Sequence, residues 1–470
     1  MPDAFNAIQH WRRHAHQLRQ GTINRFEELS VSDYPEATAH QVIEFMVAFF
    51  SELKHQIDRA RTEQELRFLS QIIDNQGIFL EWLDNAHTAQ TPRALAQLLK
   101  SLMDRLEPDS AVVVVPQAQY NYSIRNIGYH FKDLVKNWIP KSRQSVFDRY
   151  VNKPIKLIHF PRIERDNIVA HAIFGHELGH PIATAFLESE LTDPSHLAAQ
   201  SEIHKKVAIF VQEKLKGRPN GDSADELKLK TRVFNNILQI RLRAIEEFVS
   251  DYVGYRIFGP SAVFAMHDLL WTGDWDEAPK GDEWYPPSRM RMRLMVKQLD
   301  RSMALKQFAA STDERIASYG NAVSAFIEQL TTLVRATSDT DKISADPVLD
   351  IAYQWMNESL QKAFDFAEIK VSNALFDVDS VQHQLPELLH RLELGIPPNE
   401  IGTPLTPTAV DCRTALLAAW IYKLRGLDQD KNPLSMQAID KLNLQTLLAV
   451  EYVILRDRYA AHITASGIVA

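Results

Sequence analysis

A chain of 470 residues, 45% hydrophobic and 24% charged, has ordinary globular composition and enough material for two or three domains. Its net charge of −8 gives no support to a nucleic-acid or anionic-membrane surface and does not favour acidic substrates. A single cysteine, Cys412, excludes an internal disulfide and any cysteine-based metal cluster and fits a reducing compartment.

From the N-terminus to about residue 106 the apolar spacing is helical, most clearly over 41–50 (QVIEFMVAFF) and 66–82, with Pro35 and the Thr91-Pro92 pair marking helix starts. The opening residues carry no apolar segment of secretory type, and no run of about 18 uncharged apolar residues occurs, so a soluble, cytoplasmic protein without a membrane partner is expected. His14, His16 and His40 read as solvated or partly packed. The β-branched run 111–116 reads as a buried strand, residues 117–122 as an extended segment, 126–138 as a helix and 155–160 as a second strand.

A helix is then expected from Asp166-Asn167, and it carries His176-Glu177-Leu-Gly-His180. Residues four apart share a helix face, so His176 and His180 can turn ring nitrogens toward one zinc ion. Glu177, on the neighbouring edge of that face, is suited to take a proton from a zinc-activated water as general base. The preceding strand would offer an edge with which an extended substrate could pair. Pro181 removes one N–H and crowds the carbonyl of Glu177, so the helix is expected to kink or stop there, while His171 is off the metal face and reads as packing.

Residues 195–216 read as another helix, 217–222 as a surface loop and 223–226 as a capping box. The box opens a helix of roughly 35 residues, about 50 Å long, that ends at Gly259-Pro260. A catalytic zinc needs a third protein ligand, and register selects it from the stretch 243–252. Glu247 and Asp251 share a face at i, i+4, whereas Glu246 has only Ser250 at that offset. Glu247 would bind the metal, and Asp251 would accept the free ring N–H of a ligating histidine. Ile245, Phe248, Val249 and Val253 around these acids indicate burial, which a carboxylate tolerates only with a metal or partner.

In these residues the chain resembles the gluzincin clan of zinc metallopeptidases, in which a His-Glu-x-x-His helix is followed by a helix with a Glu-x-x-x-Asp pattern. The matching positions are His176, Glu177, His180, Glu247 and Asp251. The separation of the two motifs is longer than in compact members and implies an inserted helix. Tyr285-Pro-Pro-Ser-Arg289 is similar to a His-Pro-Pro…Arg segment of the clan's membrane-associated branch, with Tyr in place of His. The resemblance covers about residues 150–295.

Residues 274–285, rich in Trp, Asp, Pro and Gly, read as a loop that could overhang a cleft. Tyr285, Arg289 and Tyr255 are candidate donors to the oxyanion of a hydrolytic step. Downstream, 337–342 reads as a linker, 395–407 as a rigid non-helical crossing, and 415–422 and 447–455 as strongly apolar helices. The whole is expected to be mainly α with a small β-sheet. A zincin-like metallopeptidase core over 109–300 would lie between helical regions at 1–108 and 301–470. The function expected is a zinc-dependent peptidase with one zinc per chain and a peptide or protein substrate. A catalytically silent scaffold on the same fold and a zinc hydrolase of small-molecule amides stand as alternatives.

Overall fold

The computed structural model describes residues 7–216, 223–271, 275–277, 284–299, 305, 308, 310–403, 405–428 and 434–465. The chain is mainly helical with a small sheet, as its periodicity indicates. It divides into two units, residues 1–166 with 450–470, and residues 167–449, bounds that differ from the three regions expected.

In the first unit, α1 (Ala7–Leu29), α2 (Thr38–Arg59), α3 (Glu63–Asn75), α4 (Ile78–Ala86) and α5 (Arg93–Leu106) precede β1 (Ala111–Gln117), β2 (Ser123–Asn126), α6 (Gly128–Trp138) and β3 (Ile155–Pro161). The apolar face of α2 supplies Phe45, whose ring stacks 4.3 Å from that of Phe131 on α6. A reciprocal capping box between Thr62 and Glu65 opens α3. The expected strands are present, but the order is β1-β3-β2, with β1 parallel and β2 antiparallel to β3. All seven residues of β3 are buried and both its sides are paired. The strand that was to offer a free edge for an extended substrate therefore has none. Parallel pairing with β1 takes one side and the short return strand β2 takes the other.

In the second unit the start expected at Asp166-Asn167 is displaced, because a 3₁₀ segment, Ala170–Ile173, precedes α7 (Phe174–Glu190). Nor does α7 stop at Pro181, which sits exposed inside it. Ala183 and Phe186 are buried beyond the proline, and the terminal Glu190 takes an ion pair from fully buried Arg241 at 2.7 Å. That anchoring outweighs the one lost hydrogen bond. Then follow α8 (Pro194–Leu215), α9 (Ser223–Phe258, 36 residues), α10 (Pro260–Leu270), α11 (Ser288–Leu299) and α12 (Glu314–Val334). The loop expected at 217–222, and most of the one at 274–285, lie outside the described residues.

The expected linker at 337–342 is instead part of α13 (Ser338–Ala345), held by buried Ile343 and by Asp339, which accepts from Arg293 at 2.9 Å. After α14 (Pro347–Val371) and α15 (Leu385–Glu393), the crossing at 395–407 contains a two-stranded hairpin, β4 (Glu400–Thr403) with β5 (Thr406–Ala409). Gly402 takes a φ of 96° there, and its N–H donates to Glu387 Oε1 at 2.7 Å. Helices α16 (Cys412–Asp428) and α17 (Met436–Ala465) complete the chain. Among the described residues no helix is long and apolar enough to cross a membrane.

Candidate metal centre

Two helices carry the site, and small residues let them touch. A Cβ built on Gly179 of α7 would lie 2.4 Å from Ser250 Cα on α9, and one on Gly175 would lie 2.8 Å from Gly254 Cα. The G-x-x-x-G spacing on α7 thus faces S-x-x-x-G on α9, so backbone meets backbone where larger side chains would hold the axes apart. On the adjoining positions His176 and His180 come opposite Glu247 and Asp251. One ligand atom from each of His176, His180 and Glu247 lies within 4.8 Å of the others. The imidazoles sit edge to face with centroids 4.8 Å apart.

Burial and hydrogen bonds order the group. His176, Glu247 and Asp251 are all buried. The Nδ1 of His176 is 2.8 Å from Asp251 Oδ1, and its Nε2 is 3.5 Å from Glu247 Oε2. With the Nδ1 proton donated to Asp251, Nε2 is the nitrogen left to bind. Burial opposes charge on His176, but the hydrogen bond and charge of Asp251 raise its pKa overall. Burial takes His180 down to about 3, assisted by the charges of His176 and Arg291, so its ring is a neutral ligand at any physiological pH. Burial likewise lifts Glu177 to about 7, with Glu247 adding to the rise while His176 and Arg291 oppose it. In metal-free protein this carboxyl therefore changes charge near neutral pH.

The cation that balances these acids is Arg291 on α11. Its Nε is 2.9 Å and its Nη2 2.8 Å from the two oxygens of Asp251, a two-pronged grip that keeps the carboxyl well below its usual range despite burial. Its Nη1 stands 3.0 Å from Glu247 Oε2 but off the hydrogen-bond line, so that oxygen is buried without a hydrogen bond. A buried carboxylate oxygen left in this state, beside one neutral imidazole and the free nitrogen of another, fits a metal ion. Two nitrogens and one carboxylate form a donor set suited to zinc.

Of the expected oxyanion donors, Tyr285 belongs to the group. Its ring lies 4.9 Å from the Arg243 guanidinium; the residue is 46% exposed, and partial desolvation together with the charges of Glu247 and Glu177 raises the pKa of its hydroxyl. The preceding Trp284 holds a φ of 54°, a strained conformation for a bulky residue, and Pro286-Pro287 stiffens the other side. Arg289 is turned elsewhere, donating to Asp276 Oδ1 at 2.6 Å and to the Leu333 carbonyl. Tyr255 spends its hydroxyl on the Gln298 carbonyl at 3.1 Å.

Sequence reasoning missed Arg291 and Arg243. The signal for Arg291 was the alternation Arg289-Met-Arg291-Met-Arg293. On a helix, positions four apart share a face, and the position midway between them points the opposite way. Arg289 and Arg293 accordingly both reach the 333–339 segment, while Arg291 enters the site. Compared with known protein families, with curated proteins and with solved structures, the chain matches none.

Proposed function

We propose that the chain is a zinc-dependent hydrolase of peptide bonds with a zincin-like core, acting as a soluble, cytoplasmic enzyme with one zinc held by His176, His180 and Glu247. The observation that carries this reading is the convergence of those three ligand groups, with the largely buried carboxyl of Glu177 adjoining His176 on the same helix. When bound, zinc supplies Lewis acidity for the scissile carbonyl and for water. Glu177 accepts the proton of the attacking water and returns it to the leaving amine. Asp251 orients His176 through Nδ1, and Arg291 fixes Asp251. Tyr285 is the residue suited to donate to the developing oxyanion. No covalent intermediate on the protein is involved.

One observation favours a silent scaffold instead. Arg291 already offers a cation to both buried acids, so the fold can balance their charge without a metal. Metal analysis of purified protein decides between the two readings, with the hydrolase taking up one zinc per chain and losing it in His176→Ala. Cleaved protein ends compared between wild type and Glu177→Gln then test the chemistry. Zinc retained in both with no peptide cut by wild type would refute the peptidase and leave a small-molecule amide as substrate or a silent scaffold with structural zinc.

A further inference from the structure

Arg243 stands one helical turn before Glu247 on the same face of α9, at the lip of the metal group, and its side chain is 35% exposed. Its Nη1 donates to Glu246 Oε2 at 3.1 Å and lies 3.8 Å from Glu247 Oε1. The Tyr285 ring lies against it, 4.9 Å from its Cζ. Its charge reaches His180 across the site. Among the described residues no acceptor takes Nε or Nη2, so a partly exposed guanidinium, tethered through Nη1, presents a pair of donors beside the ligand group. A carboxylate is the acceptor whose two oxygens match such a pair.

Resting on the hydrolase reading above, we propose that Arg243 is a specificity-determining residue that receives a substrate carboxylate on the residue following the scissile bond. Arg243 Nη1 lies 3.8 Å from Glu247 Oε1 and one extended residue advances about 3.3–3.6 Å, so a carboxylate one residue beyond a carbonyl held at the metal group has the span to meet the guanidinium. Two sources share this chemistry: the free C-terminus of a chain, or an Asp or Glu side chain. The net charge of −8 disfavours anionic ligands at long range, but exposed charges more than about 10 Å apart are largely screened by salt, so recognition here is local.

The test separates binding from turnover by using zinc-loaded Glu177→Gln protein and calorimetry. The probes are acetyl-Phe-Ala-Phe with a free carboxyl terminus, the same peptide as its amide, and amides ending in Glu or in Gln. The expected result is roughly 10- to 100-fold tighter binding of one carboxylate form over its neutral counterpart, in line with a two-pronged charge-assisted contact. A preference for the free terminus identifies an exopeptidase-type subsite, and a preference for Glu over Gln a side-chain subsite. Adding Arg243→Gln should bring that ratio within about twofold of one, and Arg243→Lys should leave an intermediate ratio, because the charge stays but the fork is lost. Ratios within one variant do not depend on how much of it folds. No carboxylate preference with Arg243 in place, or the same preference after Arg243→Gln, overturns the assignment and leaves the hydrolase standing on its own experiment. Protein that takes up no zinc sinks both.

Discussion

Substituting Gly179 by Ala is the most direct probe of the helix contact on which the site depends. In an unconstrained helix interior this change stabilises by roughly 0.5–1 kcal/mol, because alanine is the better helix former. Here the new methyl would stand 2.4 Å from Ser250 Cα, against 3.4–4 Å for ordinary contact, so α7 and α9 must separate by about 1 Å. The obstructing atom is backbone and cannot rotate away, so the cost falls at or beyond the top of the usual 1–3 kcal/mol range for overpacking. Metal-ligand distances tolerate only about 0.2 Å, so the same shift draws Glu247 away from the imidazole pair. Urea denaturation of metal-free protein should show a loss of about 3 kcal/mol. Competition with a chromophoric chelator should show zinc affinity down by at least the roughly 10- to 100-fold that follows loss of an outer partner. Gly21→Ala, where the added atom meets nothing within 4 Å, is the control and should be neutral or stabilising. A Gly179→Ala protein as stable as wild type and equally avid for zinc would refute the account of how the ligands are brought together.

Three further outcomes follow from the electrostatics. In metal-free protein Glu177 is held at about 7 against an ordinary value near 4.5, so the native state binds its proton more tightly than the unfolded chain does. Stability from this group is full below about 4.5 and falls as pH rises to 7, by about 3 kcal/mol at roughly 1.4 kcal/mol per pKa unit. Glu177→Gln should remove that slope, so parallel urea curves for the two proteins from pH 4.5 to 8 would contradict the burial of this carboxyl. Arg291→Met leaves Asp251 and Glu247 buried without their cation and should cost roughly 3–5 kcal/mol in metal-free protein, read by the same denaturation. A larger zinc-induced rise in Tm for that variant than for wild type would confirm that metal and guanidinium balance the same acids. Asp251→Asn should weaken zinc binding about 10- to 100-fold, since the amide carries no charge and leaves one oxygen for which the His176 ring and Arg291 compete; unchanged affinity would remove Asp251 from the site.

Helix content was legible because a 3.6-residue period is a local property, and 41–50 shows it plainly. Where the fold departs from expectation, a tertiary partner had overridden a local signal. Pro181 is a helix breaker by its own chemistry, yet Glu190 and Arg241 hold the helix together beyond it. The polar string at 337–342 looks like a linker until Arg293 arrives to neutralise Asp339 inside a helix. The hairpin at 400–409 is mostly exposed and shows no apolar alternation, so its Pro and Gly signalled turns without revealing the strands between them.

The site divides along the same line. His176, His180, Glu247 and Asp251 were readable because i, i+4 spacing turns sequence directly into a shared face, and the chemistry of a divalent cation then selects among the acids. Arg289 was singled out because it closes the Tyr-Pro-Pro-Ser-Arg segment, and Arg291 was not considered; place in a segment says nothing about which face a residue takes once that segment becomes the first turn of α11. The glycines carry the converse lesson. Gly175 and Gly179 look like weak points in a helix, each costing up to about 1 kcal/mol of propensity, and Gly179 sits inside the motif where attention goes to the histidines. Their value appears only with α9 in place, where Ser250 and Gly254 occupy the space that any side chain would claim. Helix propensity is therefore given up at the two positions where close approach is needed, and that approach brings a carboxylate from one helix within 3.5 Å of an imidazole on the other.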